Sequence, residues 1–429
     1  MAVTTAADAG VVSDFDRFLV GGEVQPAYQP IVDLSSREVV GFEALARWPH
    51  LPGATPDVVF AAARDNGRTG ELDWACRLAA LDGALRFGLG RRHVLFVNVE
   101  PWTLGTEMPG RAEPILAAAQ AGLRVMIELT ERSLARHPAE LLRLVDWART
   151  NGWGIALDDV GAEPASLALL PFLAPDVIKL DMTLVRQRPN AERAAIMAAV
   201  MAHSERTGAV ILAEGIETQA HLDQALALGA TLGQGWLLGR PGPLQRCAAP
   251  TRELEFARPS DAASSTPFAL VAGKGRLRIG RKGLLLDLCR HIEGGGLSAW
   301  PPPIVLAAFQ TADRFTPATA IRYAALAARC PLVAALGVGL DAHATPGVLG
   351  NSLSATDPLA EEWTVTVIGS HYAAALIARD LGDTGPDHDR RFQFAVTHDR
   401  DLVLGAARSL MARIRTPRAR DWLSVPRNG

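Results

Sequence analysis

The chain has only four cysteines in 429 residues: Cys76, Cys247, Cys289 and Cys330. They lie far apart, form no Cys-x-x-Cys pair and keep no regular spacing with histidine. That argues against a disulfide framework or a zinc knuckle and fits a reducing compartment. An excess of one charge is missing too, since 43 basic and 46 acidic side chains leave a net charge of -3. There is thus no electrostatic case for nucleic acid or an acidic membrane surface as a partner. No apolar run reaches the roughly 18 residues of a membrane span without charge or turn residues breaking it. The opening MAVTTAADAGVVSDFDRF has no basic start followed by an apolar stretch, so it does not read as a signal peptide. The expected setting is the cytoplasm.

What is present is the composition of a globular protein, 48% hydrophobic and 21% charged, long enough for two or three domains with cores of their own. EFARPSDAASSTPF (255–268) has clustered Pro, Ser, Asp and Ala with no apolar periodicity and marks the clearest boundary. The expected layout is a first domain over 1–254, a linker over 255–266, a second domain over 267–416 and a frayed tail over 417–429.

In the first domain, short aliphatic runs alternate with amphipathic helical stretches. The runs are AYQPIVDL (27–34), EVVGFEALARW (38–48), HVLFVNV (93–99), RVMIELT (124–130), GIALDDV (154–160), VIKLD (177–181), VILAE (210–214) and GQGWLL (233–238). Helices are expected at AELLRLVDWARTNG (139–152), stopped by Asn151-Gly152, and at HLDQALALGA (221–230). This alternation over about 250 residues predicts an α/β fold of the TIM-like (β/α)8 type. The first two runs, joined by SSRE, read as a hairpin, so one strand should be antiparallel. The second domain reads as smaller and mixed α/β. Strands are expected at 302–310, 331–340, 362–369 and 391–398, and helices at ATAIRYAALAARC (318–330) and AAALIARDLG (373–382).

The polar residues at or near the ends of the barrel runs carry the chemistry: Glu43, Asn98, Glu128, Asp158 with Asp159, Lys179 with Asp181, Glu214 and Gln234. A parallel barrel gathers the C-terminal ends of its strands on one rim. One carboxylate at a strand end is ordinarily a helix N-cap or a surface group, but one at nearly every strand end is harder to explain that way. Carboxylates gathered on one face repel each other unless cations bind there. Hard oxygen donors select Mg2+, Mn2+ or Ca2+ over zinc. Adjacent Asp158 and Asp159 can serve two metals, the arrangement that activates water and stabilises a phosphoryl transition state. Lys179 adds a cation for developing charge.

The ordered motifs YQPIV, FEALARW, FVNV, IELTE, LDDVG, DVIKLD, AEGIE and GQGWLLGRP, over residues 15–245, resemble the EAL-type phosphodiesterases of cyclic di-GMP. The resemblance implies hydrolysis of one phosphodiester of the cyclic dinucleotide to linear pGpG with two Mg2+ or Mn2+ ions. It implies metal ligation by Glu43, Asn98, Glu128, Asp158 and Asp159, with Gln234 supporting the metal site. Glu214 would stand by the attacking water as ligand or general base, and Lys179 would help hold water and phosphate. Arg47 matches an arginine that contacts substrate phosphate, Gln29 lies in a ligand-contacting segment, and Asp181 and Glu217 match further polar positions of the rim. The family also implies a homodimer.

One stretch departs from the family pattern. In DDVGAEPASLALL, Val160, Ala162, Glu163 and Pro164 replace the usual aromatic, hydroxyl, glycine and tyrosine of the loop that couples the second metal to the dimer interface. Glu131 matches the glutamate that normally pins this loop. Pro164 fixes φ, and Glu163 lacks the freedom of glycine, so the loop must take another path. Two readings therefore stand: an active hydrolase, or a module that holds cyclic di-GMP or a partner protein without cleavage.

Residues 267–416 resemble the DICT sensory domain, through AAFQTADRFTPATAIRYAALAARCPLVAALGVGL and the stretches at 357–382 and 390–403. This implies an input domain for an unknown signal or partner. Gln310, Arg314, Trp363, His371, Arg379, His398 and Arg400 are its candidate contact residues. GKGRLRIGRKG (273–283) fits neither a dinucleotide fingerprint nor a P-loop, since Arg278 stands where the third glycine belongs and Gly280-Arg281-Lys282 is not Gly-Lys-Ser/Thr. It reads as a solvated basic loop.

Overall fold

A computed structural model of the chain describes residues 24–51, 53–100, 108–130, 138–161, 167–187, 190–257, 265–274, 277–384 and 386–414. Contacts divide the chain into two compact units. One comprises Met1–Ser133, Leu144–Ala162 and Ala174–Pro259; the other comprises Leu134–Arg143, Glu163–Leu173 and Ser260–Gly429.

Eight strands close the barrel in sequence order: β1 (Gln25–Asp33), β2 (Val39–Arg47), β3 (Val94–Asn98), β4 (Arg124–Thr130), β5 (Gly154–Val160), β6 (Val177–Leu180), β7 (Val210–Ala213) and β8 (Leu232–Gly233). Between and after the strands the chain forms α1 (Pro56–Asp65), α2 (Thr69–Phe87), α3 (Ala112–Gly122), α4 (Pro138–Thr150), α5 (Leu170–Leu173), α6 (Met182–Arg186), α7 (Ala191–Thr207) and α8 (Gln219–Ala227), of which α5 and the start of α4 belong to the second unit. The expected hairpin is there. Asp33 Oδ1 accepts from the backbone N–H groups of Ser35 and Ser36 at 2.9 Å each, and Arg37 adopts φ 63°. This tight turn reverses the chain, so β1 is antiparallel to β2 and β8 while the other pairs are parallel.

Ile31, Val40, Val94, Phe96, Met126, Ala156, Val177 and Leu212 fill the barrel interior, with Leu254 and Phe256 packed against them. The buried Asp176 carboxylate accepts from Ile155 N at 2.7 Å and Ala257 N at 2.6 Å and pairs with Arg149 at 2.5 Å. Residues 254–257 therefore cover the end of the barrel where the parallel strands begin. The opposite rim is left for chemistry.

The second unit holds a seven-stranded sheet in the order β12-β11-β10-β13-β14-β15-β9. Its strands are β9 (Arg278–Arg281), β10 (Ile304–Thr311), β11 (Val333–Val338), β12 (Leu349–Leu353), β13 (Glu362–Ile368), β14 (Ala373–Asp380) and β15 (Arg391–Thr397). Its helices are α9 (Pro267–Ala272), α10 (Lys282–Ser298), α11 (Pro317–Ala327) and α12 (Arg400–Met411). Leu285, Cys289 and Ile292 of α10 and Tyr323 and Leu326 of α11 meet alternate strand residues such as Val305, Val365, Leu376 and Phe394 in one core.

Three local expectations are corrected. AAALIARDLG is strand β14, not a helix: alanine favours helix in isolation, but pairing on both sides with β13 and β15 decides otherwise. GQGWLL contributes to a strand only at Gly233, because the chain turns from Gly235, whose carbonyl accepts from Leu238 N and Gly239 N. GKGRLRIGRKG contains edge strand β9 rather than only loop, its backbone pairing with β15.

Candidate active site

Lys179 stands at the centre of the open rim. Its Nζ lies 2.7 Å from Glu128 Oε1, 2.8 Å from Glu214 Oε1, 3.0 Å from Asp158 Oδ1 and 3.6 Å from Glu43 Oε1. These residues come from β2, β4, β5, β6 and the end of β7, so only closure of the barrel brings them together. Strand register sets their depth: Asn98 pairs with Glu128, and Thr130 with Asp158.

Burial makes this cluster electrostatically demanding. Glu128 and Lys179 are both 0% exposed. Burial, reinforced by Glu43, pushes Glu128 well above the usual carboxylate range. Burial also raises Glu214, to about 8, with Asp158 and Glu43 adding to it and Lys179 opposing. For Glu43, burial alone would act the same way, but Lys179 and hydrogen bonds from Gln234 and Asn98 outweigh it and lower its pKa. Burial opposes the charge on Lys179, yet the surrounding Asp158, Glu128, Glu214 and Glu43 hold it charged well above its ordinary range.

Asp158 and Asp159 are neighbours in one strand, where successive side chains should point to opposite faces. The register of β5 shifts between Leu157 and Val160, and Asp159 takes φ 58°. This irregularity brings oxygens of Asp158, Asp159 and Glu214 within 4.8 Å of one another. A left-handed non-glycine residue costs free energy, and such strain concentrates at functional sites.

The amide side chains complete the frame. Gln234 Nε2 donates to Glu43 Oε2 at 2.5 Å and to Gln29 Oε1 at 3.0 Å, while Gln29 donates to Gly239 O at 3.0 Å. Asn98 Nδ2 donates to Glu43 Oε1 at 3.3 Å. Gly235, at φ 154°, allows the Ile216 backbone to approach: an added Cβ would fall 2.2 Å from Ile216 O. Ile216 N in turn donates to Gln234 O at 3.0 Å, tying the segment after β7 to the turn after β8.

The donor set fits divalent cations. Both Glu128 carboxylate oxygens and Gln234 Oε1 are buried without a hydrogen bond, the Lys179 contact to Glu128 being an ion pair. Buried hard oxygen donors without hydrogen-bond partners suit a hard divalent cation.

The remaining expected contact residues are less central. Glu217 lines the same cavity of about 500 Å3 as Glu43, Asp158, Glu214 and Gln234. Asp181 caps α6, accepting from Thr183 N at 2.8 Å. Arg47 donates to the carbonyl of its neighbour Ala46 at 2.8 Å and is not among the residues lining the cavity. Glu131 and Ala162, Glu163 and Pro164 of the altered loop lie outside the described residues. Sequence reasoning overlooked Met182, Arg186 and Trp236, which also line the cavity. A signal was available: Arg186 ends the single helical turn that starts right after Lys179 and Asp181.

The candidate residues of the second unit do not gather into one site. Arg314 pairs with Asp387 at 2.6 Å, Arg379 lies over the Phe268 ring at 4.3 Å, and Trp363 packs edge-on to Phe392. His398 meets Ala373 O at 3.2 Å, Arg400 donates to Gly369 O at 2.5 Å, and Gln310, at φ 63°, donates to Glu361 O at 3.2 Å. His371 lines a separate cavity of about 230 Å3 with Trp300 and Tyr372.

Among the described residues, no helix is long and apolar enough to cross a membrane. The EAL domain family matches residues 12–241, and the sensory domain in diguanylate cyclases and two-component systems, DICT, matches residues 273–381. Cyclic di-GMP phosphodiesterase RocR of Pseudomonas aeruginosa is 33% identical over 242 residues, covering 54% of this chain and 61% of RocR. Cyclic di-GMP phosphodiesterase NbdA of the same organism is 32% identical over 229 residues, 51% of this chain and 29% of NbdA. A solved manganese and cyclic di-GMP complex of Klebsiella pneumoniae BlrP1 is 33% identical at a TM-score of 0.46, covering 52% of this chain and 57% of that one. The chain thus spans less than two thirds of each of these relatives. With the match running over more than half of its length and the rim carboxylates closing around Lys179, this chain belongs to the EAL domain family and carries a DICT domain further along the sequence.

Proposed function

We propose that the barrel rim hydrolyses one phosphodiester of cyclic di-GMP to linear pGpG with two Mg2+ or Mn2+ ions, under the control of the DICT domain. The observation that carries this is the convergence of Glu43, Glu128, Asp158 and Glu214 within 3.6 Å of one buried ammonium, with Asp159 beside them. Glu43, Asn98, Glu128, Asp158 and Asp159 would hold the cations, with Gln234 orienting Glu43. Divalent cations there supply Lewis-acid polarisation of the phosphate and a more acidic water.

The protein's own groups do the rest. Glu214, on the cavity wall, takes the proton of the attacking water. Lys179 presents a fixed positive charge where negative charge grows on the phosphate, in a setting too buried for water to compete. Gln29 and Glu217, both lining the cavity, orient the ligand. The complete donor set supports turnover over simple retention of the ligand.

Incubation with cyclic di-GMP and Mg2+ or Mn2+, read by chromatography for pGpG, tests the reading. Product with the wild type and none with Glu43→Ala is expected. Binding without product at any metal concentration would favour the non-hydrolytic module instead. Comparing rates of the full chain and a 1–259 truncation, which keeps the cover formed by residues 254–257, tests control by the second domain, with equal rates arguing against it. Sedimentation tests the homodimer that completes the proposal.

A further inference from the structure

The rim cavity is lined by four carboxylates, Glu43, Asp158, Glu214 and Glu217, and among the described lining residues Arg186 is the one cation. Lys179 is sealed beneath them. Arg186 is held in place from two sides: its Nε donates to Gly215 O at 3.1 Å and its Nη2 to Glu217 Oε1 at 2.8 Å. The fit is close, since a Cβ on Gly215, which sits at φ 65°, would fall 2.9 Å from both of these nitrogens. Among the described residues Nη1 has no hydrogen-bond partner, and it stays available at the cavity wall on a side chain 31% exposed.

We propose that Arg186 is the rim cation that receives the second, uncleaved phosphodiester of a cyclic dinucleotide, and that Glu217 holds its guanidinium ready for it. The inference rests on the hydrolytic reading above and names the part of the ligand that the metal cluster does not handle. A cyclic dinucleotide carries two negative phosphates. One would be held by the cations at the floor, above the sealed Lys179; the other must lie toward the lip, where the charged lining residues described, apart from Arg186, are carboxylates that repel it. A guanidinium fixed through two of its nitrogens keeps its planar fork oriented and loses little freedom on taking a phosphate. Arg47, expected from sequence to contact a substrate phosphate, donates Nη1 to its own strand's carbonyl and is not among the residues lining the cavity, whereas Arg186 is. Trp236, 56% exposed on the same lip, adds a flat apolar wall beside that position.

Steady-state kinetics on the full-length protein with Mn2+ test the inference, with cyclic di-GMP compared to bis(p-nitrophenyl) phosphate, which has a single phosphodiester. Arg186→Ala is expected to raise KM for cyclic di-GMP about tenfold, the loss of one charge-assisted contact. It is also expected to flatten the dependence of KM on salt, because the contact is partly exposed. Arg186→Lys should recover part of both effects, keeping the charge without the fork. The fall in kcat/KM on bis(p-nitrophenyl) phosphate should be smaller by that same factor. Equal losses on the two substrates, or an unchanged KM for cyclic di-GMP, would overturn the assignment and leave Arg186 a brace for the Gly215–Glu217 segment. If the wild type neither binds nor cleaves cyclic di-GMP yet cleaves bis(p-nitrophenyl) phosphate, the substrate reading fails and takes this inference with it.

Discussion

Lys179 Nζ lies 2.7 Å from Glu128 Oε1, and both residues are wholly shielded from solvent. The ammonium is therefore the standing counter-ion of the deepest carboxylate. Removing it as Lys179→Met leaves a buried acidic cluster without its cation, which should destabilise the metal-free protein by about 3–5 kcal/mol. Urea unfolding with chelator present should show that loss, and saturating Mn2+ should recover part of it by binding only the folded state. A metal-free Lys179→Met protein as stable as wild type would refute the counter-ion role.

Glu214 gives the pH dependence a sign. Its folded pKa of about 8 stands above the ordinary 4.5, because burial penalises the charged form. In the absence of metal the folded state binds a proton that the unfolded state has lost. The contribution of this group is present in full below about pH 4.5 and is lost as pH rises through 8, with a slope of at most about 1.4 kcal/mol per pH unit for one proton. Metal-free melting temperatures should therefore fall between pH 6 and 8.5, and the fall should shrink in Glu214→Gln. Calorimetry at pH 7 in two buffers of different ionisation enthalpy should detect proton release on Mn2+ binding.

Asp159 exchanges backbone comfort for a ligand position. At φ 58°, glycine would sit without strain. Asp159→Gly should unfold at the same or a higher temperature, by up to about 1 kcal/mol, while losing most phosphodiesterase activity. Differential scanning calorimetry paired with a pGpG assay reads both. A drop in stability together with retained activity would contradict the argument.

Gly235 is constrained by a neighbour's backbone rather than by a ligand. A methyl group there meets Ile216 O, N and C at 2.2–2.6 Å. Gly235→Ala should separate the two segments, displace Gln234 from Glu43 and cost about 2 kcal/mol or more, since backbone cannot swing aside as a side chain can. Thermal unfolding and Mn2+ affinity should fall together.

Much of the first unit was legible from the chain itself, because most barrel strands are short aliphatic runs ending at or near a polar residue. Strand order, the hairpin at Asp33 and the identity of Glu43, Glu128, Asp158 and Glu214 as rim residues follow from pattern and turn chemistry. The second unit was harder to read. AAALIARDLG has the composition of a helix, and only its place between β13 and β15 makes it β14. Isolated propensity differs by fractions of a kcal/mol per residue, and ladder pairing overrides it.

The sequence by itself determined which donors exist at the strand ends: hard oxygens and one lysine. It also set the local rules, such as glycine where Ile216 must approach and a capping aspartate before α6. Tertiary structure alone decided that Lys179 would meet four carboxylates from four other strand ends, that Arg47 would turn to its own carbonyl and that Arg186 would lie on the lip beside Glu217. The reason is physical. Side-chain identity and spacing along a strand are local properties, whereas the direction in which a long flexible arginine settles depends on which acceptors the closed barrel brings within reach.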